Sequence, residues 1–405
     1  MTPTQKYMFP QLYQKVFETH LNPRQYLTLQ LLVLMLQNYR DVSLSTLANK
    51  FPQLIKYESR VRNLQRFLDL PQLTAKMLWF PIIKQLLKQE WRSQPSNRQQ
   101  RRRAKKLQLI HQGHLFLIVD RTQWQERNLI VLSLAWGQHA IPVYWEMLPK
   151  KGSSNLREQK RVLTPVLRLL KPYPVLVLAD REFHSVQLAY WLRQRNIDFA
   201  LRQKKGTCIA DDNAVYRALK DLDIKPGKSR FYANISCTKA HQLGDFNLAA
   251  YWKRKYRGRQ PKEPWYILTS LKSLPRTLCV YAARWGIETM FRDLKTGGYN
   301  LENTKVNARR LMALVLLISI AYTLATLQGA SLPHRTVAEY ICRPTETGRS
   351  TERYSTFWMG LHAPDWGQSF QNWSDLAWNL MNLKPHKRLN FQQGIHALSL
   401  IQSAL

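Results

Sequence analysis

The hydrophobic positions of this chain change their period along its length, and each change marks a candidate boundary. Over residues 1–92 they recur at helical spacing, in LTLQLLVLMLQ and again in MLWFPIIKQLLKQEW, which predicts a helical N-terminal region. Between these runs, VSLSTLANKFPQLIKYESRVRNLQRFLDL predicts a short helix, a turn near Pro52 and a second helix exposing Arg60, Arg62 and Arg66. The stretch 93–106, SQPSNRQQRRRAKK, is polar, basic and poor in apolar residues, and reads as a linker. From residue 107 to 205 the pattern is that of strands and short helices. HLFLIVD runs to Asp120, and LIVLSLAW and IPVYWEML follow after short connections, which suits antiparallel pairing. A helix over 155–171, the strand VLVLAD ending at Asp180, a helix over 185–195 and the strand IDFALR complete this part. Residues 206–272 interrupt it with turn-rich, strand-prone sequence such as RFYANISC and PWYILTSL, plus the basic cluster KRKYRGRQPK. Helical spacing returns over 273–330, with a long helix starting around Leu278, and a helical tail follows over 331–405 that carries Trp358, Trp366, Trp373 and Trp378. The apolar run LMALVLLISIAYTLATL, Leu311 to Leu327, falls just short of a comfortable membrane span and contains Ser319, Tyr322 and Thr323. It is expected to be a buried core helix, so no membrane partner is expected.

Charge narrows the partner. The 405 residues hold 61 Lys and Arg against 26 Asp and Glu, a formal net charge of +35, and nucleic acid is the commonest polyanion that such a balance serves. In that light the two helices around Pro52 have the pattern of a helix-turn-helix reader, a pattern that plain helical bundles share. The linker either tracks phosphates or is a solvated joint. The four cysteines, Cys208, Cys237, Cys279 and Cys342, form no C-x-x-C pair, which argues against a zinc knuckle or a disulfide framework. The first residues lack the apolar run of a signal peptide, and a cytoplasmic location is expected.

Acids are scarce, so their positions carry information. Asp120 and Asp180 each end an apolar run. If the two strands are neighbours, both carboxylates emerge at one sheet edge and can share a divalent ion. Either aspartate alone would more commonly be a turn former or a helix cap. Three hairpin-linked strands followed by αβαβ is the element order of the RNase H-like fold, so the predicted class is α/β: an RNase H-like catalytic domain with a β-rich insertion, an α-helical N-terminal DNA-binding domain and a helical C-terminal tail. In YAARWGIETMFRDLK, Tyr281, Arg284, Glu288 and Lys295 sit at offsets 0, 3, 7 and 14, which on one helix spans an arc of roughly 60°. Ile287, Met290, Phe291 and Leu294 take the opposite side. An acid flanked by cations and a phenol suits a helix lining a metal–phosphate site. A solvated face with an Arg284–Glu288 pair at i,i+4 would give the same pattern.

The spacing Y-(2)-R-(3)-E-(6)-K, with LKTGG after it, resembles the signature of the insertion-sequence-four family of DDE transposases. With each residue type at about one position in twenty, this spacing would arise by chance in well below roughly one per cent of chains this long. The resemblance covers about 110–330. It implies that Asp120, Asp180 and Glu288 are catalytic and hold two Mg²⁺ ions, with Mn²⁺ as a substitute, and that Tyr281, Arg284 and Lys295 contact phosphates near the element end. It also implies cut-and-paste transposition on double-stranded DNA, both element terminal repeats and target, by a homodimer in a bacterial, nucleoid-associated setting. Trp265, in PWYILTSL, corresponds to a tryptophan that stacks on a flipped base in hairpin-forming relatives; a core strand role is the other reading. Two competing functions are a structure-specific nuclease on the same fold and a catalytically inactive DNA-binding repressor of transposition.

Overall fold

The computed structural model describes residues 10–92, 101, 106–124, 126–210, 215–238, 242–254, 263–332, 334–343, 346–347 and 353–404. Most of the 93–106 linker and most of the KRKYRGRQPK cluster lie outside these residues. The chain divides into two compact units: one of residues 109–290, the other of residues 1–108 with 291–405.

The helical unit begins with α1 (Gln11–His20), α2 (Pro23–Tyr39), α3 (Leu44–Lys50), α4 (Tyr57–Leu68) and α5 (Phe80–Arg92). Asn22 opens α2 with a capping box, its side chain accepting from Gln25 N while the Gln25 side chain accepts from Asn22 N.

The other unit holds β1 (Ile110–His111), β2 (His114–Trp124), β3 (Arg127–Trp136), β4 (His139–Leu148), α6 (Leu156–Leu169), β5 (Val175–Ala179), α7 (Val186–Arg193) and β6 (Asp198–Arg202). It continues with β7 (Cys208–Ala210), β8 (Arg217–Ala218), β9 (Ser229–Cys237), β10 (Leu243–Tyr251), β11 (Trp265–Thr269) and α8 (Leu274–Ala282). All eleven strands join one mixed sheet, in the order β4-β3-β2-β5-β6-β11-β10-β9-β7-β8 with β1 on β2. The first three long strands are antiparallel, whereas β5 and β6 run parallel to β2. The expected insertion does not stand apart from this sheet. Its last strand, β11, pairs antiparallel with β6, so the segment extends the same sheet and leaves β6 no open edge.

The helix α9 (Trp285–Leu294) contains the boundary between the units. After it, α10 (Ala308–Ser331), α11 (His334–Ile341), α12 (Thr356–Asn372), α13 (Ser374–Asn382) and α14 (Arg388–Ala404) belong to the helical unit. The run 311–327 lies in α10, which is apolar all round and is packed against α2, α4 and α12. It is the one helix among the described residues long and apolar enough to cross a membrane, and most of it is buried by its neighbours. At the α10–α12 crossing, a Cβ on Gly329 would run into the Thr356 carbonyl and one on Gly360 into the Ala325 carbonyl, so the backbones touch. The sequence division placed 273–330 in one part of the catalytic core. In the structure only the portion up to Met290 stays with the sheet, because α10 is surrounded by helices drawn from both ends of the chain.

Candidate active site

The strand register brings the two aspartates together. In the parallel β2/β5 ladder Val119 faces Ala179, so Asp120 and Asp180 occupy the next position on adjacent strands. Asp120 does not end its strand as the sequence pattern suggested. The ladder with β3 carries β2 on to Trp124, and only the parallel partner stops at Ala179. Asp180 leaves the sheet, and its Oδ1 accepts from Glu182 N at 2.9 Å, capping the short turn Arg181–Phe183.

The signature helix is interrupted. α8 ends at Ala282 and α9 starts at Trp285, so Tyr281 and Arg284 do not share one straight helix with Glu288. The chain tightens through i→i+3 bonds from Ala283 N to Val280 O, from Arg284 N to Tyr281 O and from Gly286 N to Ala283 O, each 3.1 Å. A Cβ on Gly286 would run into the carbonyl of His139 on β4, so only glycine lets this helix start lie on the strand. Lys295 follows the last residue of α9 and lies in the helical unit, where its Nζ pairs with Glu302 at 3.0 Å.

Arg284 sits between the acids. Its Nη1 donates to Asp120 Oδ2 at 3.1 Å, and its Nη2 donates to Glu288 Oε1. Asp120 Oδ1 accepts from the backbone N of Arg121 at 2.8 Å. Burial is the largest influence on Asp120 and the charge of Asp180 the next, and together they push its carboxyl up to about 7; Arg284 opposes them and Glu288 adds to them. Tyr281 is buried beside the same guanidinium, which lies 5.9 Å from its ring centre, and burial pushes the phenol up to about 12. Trp265 is half-buried on β11, with its ring edge-on to Tyr281 at 5.2 Å and to Tyr251 at 6.3 Å.

Among the described residues no group of three or more His, Cys, Asp or Glu stands close enough to hold a metal as the side chains lie. The donor chemistry does fit a hard divalent ion: Asp120 and Asp180 are oxygen donors in adjacent register whose mutual repulsion a cation would relieve. Glu288 is the most exposed of the Arg284-linked acids and can join them once Arg284 turns away.

The sequence reading missed a supporting network. Arg121 donates from Nε to Glu182 Oε2 at 2.6 Å and from Nη1 to Asn128 Oδ1 at 2.9 Å. Glu182 Oε1 in turn accepts from the Ser154 backbone N and Oγ at 3.2 Å each. The short spacing from Asp180 to Glu182 in ADREF was the available signal. Glycine inside the RWGIE helix pattern was the signal for the close approach at Gly286.

In the helical unit the proposed reader forms as two helices, α3 and α4, joined by a turn. Arg60 donates from Nε to Ala48 O at 2.7 Å and from Nη1 to Ile55 O at 2.6 Å, closing that turn. Arg62 is exposed, 4.0 Å from Glu58, and Arg66 is exposed beside a cleft shared with Asn22, Arg24 and Asn63.

Residues 148–324 match the family model of the transposase DDE domain. The matched span contains Asp180, Tyr281, Arg284, Glu288 and Lys295 of the DDE reading, and Asp120 precedes it. No curated protein matches the chain. Among solved structures, the chain is similar to a piggyBac transposase synaptic complex with hairpin DNA, at 11% identity over 83% of this chain and 79% of that one, with a TM-score of 0.36. A likeness of that size adds nothing to the transposase DDE match.

Proposed function

We propose that the chain is a DDE transposase with an RNase H-like catalytic domain, which cuts DNA at the ends of its element and joins the freed 3′ hydroxyl to target DNA. The observation that carries this reading is the meeting at one sheet edge of Asp120 with Asp180 on the adjacent strand and, through the shared Arg284 guanidinium, with Glu288, within a chain of net charge +35. The transposase DDE match over 148–324 supports it.

Asp120, Asp180 and Glu288 would hold Mg²⁺, with Mn²⁺ as substitute, and the metal would supply Lewis-acid activation of the attacking hydroxyl and charge relief for the leaving oxygen. The chain's own residues orient and screen. The backbone N–H groups of Arg121 and Glu182 hold the Asp120 and Asp180 carboxylates, and Arg284 neutralises Asp120 and Glu288 before substrate arrives. Once released, Arg284 can grip a phosphate bidentately. Tyr281 stays a neutral phenol at working pH and can donate to phosphate. Assignment to the insertion-sequence-four family, a hairpin route using Trp265, synapsis by a homodimer and a bacterial cytoplasmic setting belong to the same proposal. So does DNA end reading by α3 and α4.

The deciding experiment incubates the purified protein with DNA carrying its flanking element ends, labelled on either strand, in Mg²⁺ and in EDTA. Metal-dependent nicks at the element boundary followed by joined products are expected. Cutting of branched DNA with no joining would instead indicate a structure-specific nuclease, and binding without cleavage a repressor.

A further inference from the structure

Beside Asp180 the sheet unit has a cleft of about 990 Å³, walled by the turn after β5 with Arg181 and His184, by the loop after β6 with Lys204 and Lys205, and by Glu263 just before β11. Its volume is that of a ligand site able to take one or two nucleotides and is too small for a duplex. Lys204 and Lys205 are exposed, and neither has a carboxylate partner among the described residues. Glu263 carries the one carboxylate among the described lining residues, and it is shared: Arg181 pairs with Glu263 Oε1, and Arg202 Nη2 approaches the same oxygen at 3.4 Å. Arg202 is mostly buried, and its Nε has no hydrogen-bond partner. Its long contact to an already engaged oxygen therefore leaves a buried guanidinium poorly compensated. A phosphodiester presents two acceptor oxygens and can serve both arginines at once, which one carboxylate oxygen cannot do well.

We propose that this cleft binds a backbone phosphate of a DNA strand passing Asp180, and that Glu263 is an internal counter-ion which the phosphate displaces. The inference rests on the DNA-processing reading and adds to it a second phosphate site, separate from Arg284, with its own charge latch. Because Glu263 competes with DNA for Arg181 and Arg202, removing its charge strengthens binding.

The test measures binding of fluorescently labelled random-sequence DNA, single-stranded and duplex, in EDTA over a salt series. Glu263→Gln keeps the side-chain size, and is expected to tighten binding by about three- to tenfold and to steepen the salt dependence by about one released ion. Lys204→Ala with Lys205→Ala, both exposed and therefore without consequence for folding, is expected to weaken binding and to flatten the salt slope by about two. An effect on single strands identifies an unpaired strand as the ligand, in keeping with the cleft volume, and an effect confined to duplex overturns the site. Unchanged binding in folded Glu263→Gln overturns the latch, and an unchanged salt slope in the lysine variant overturns the site. Binding in EDTA is independent of cleavage, so a failure of the transposase reading would show as missing Mg²⁺-dependent nicks and leave these outcomes distinct.

Discussion

Arg284 in the sheet unit and Arg60 in the helical unit were both expected, on sequence, to reach out to DNA, and both are engaged by their own protein. The partners differ. Arg284 is held by two side-chain carboxylates, Asp120 and Glu288, acids that a metal ion could take over, freeing the guanidinium for phosphate. Arg60 is held by backbone carbonyls of Ala48 and Ile55, which have nowhere else to turn without opening the α3–α4 connection. A cation tied to exchangeable anions is poised for function, whereas one tied to the backbone is part of the fold.

The largest effect that would break this comparison is at the carboxylates. Asp120→Asn, Asp180→Asn and Glu288→Gln are each expected to lower strand cleavage by roughly 10³-fold or more while Kd for end DNA stays within about threefold; vigorous cutting by all three variants would contradict the assignment. Gly286→Ala forces a Cβ into the His139 carbonyl and is expected to cost about 1–3 kcal/mol in denaturant unfolding, with cleavage falling alongside. A Gly286→Ala protein as stable as the parent would mean the α9 start is not held on β4.

Titration sharpens the sheet-edge side. The folded, metal-free protein keeps the Asp120 proton up to about pH 7, whereas the carboxyl's ordinary value is 3.8. Between those values the folded state binds more protons than the unfolded chain, so this group's contribution to stability is lost as pH rises. Asp120→Asn is expected to raise the Tm of metal-free protein by several degrees at pH 8 and to leave it unchanged at pH 4; a pH-independent difference would argue against burial and Asp180 as the cause.

On the helical side, Arg60→Ala is expected to destabilise by about 1–3 kcal/mol through its unmade carbonyl bonds. Arg62→Ala should move stability by less than about 0.5 kcal/mol and, if α4 meets DNA, flatten the salt dependence of binding by about one. Equal Tm values for the two variants would erase the distinction drawn between them.

Much of the site was legible in one dimension because its signals are local. The run HLFLIVD, the strand VLVLAD and the order of hairpin strands before αβαβ are set by short continuous apolar runs, and these predicted neighbouring strands with Asp120 and Asp180 at one edge. The Y-R-E-K spacing located Glu288 and Arg284 for the same reason, since i,i+4 proximity survives the break before Trp285. The break itself was not legible, because it depends on Gly286 meeting a carbonyl of β4 almost 150 residues earlier in the chain. Lys295 fell outside the stripe because α9 stops at Leu294.

The sequence by itself therefore determined the elements, the scarcity and placement of acids, and the excess of positive charge, all of which follow from residue type and spacing. Only the tertiary structure decided that the 206–272 strands extend the main sheet, that α10 is the centre of a helical unit built from both chain ends, and that Arg284, Arg60 and Glu263 are already partnered. Those outcomes depend on which distant carbonyls and carboxylates come within hydrogen-bond reach, and no local period encodes that.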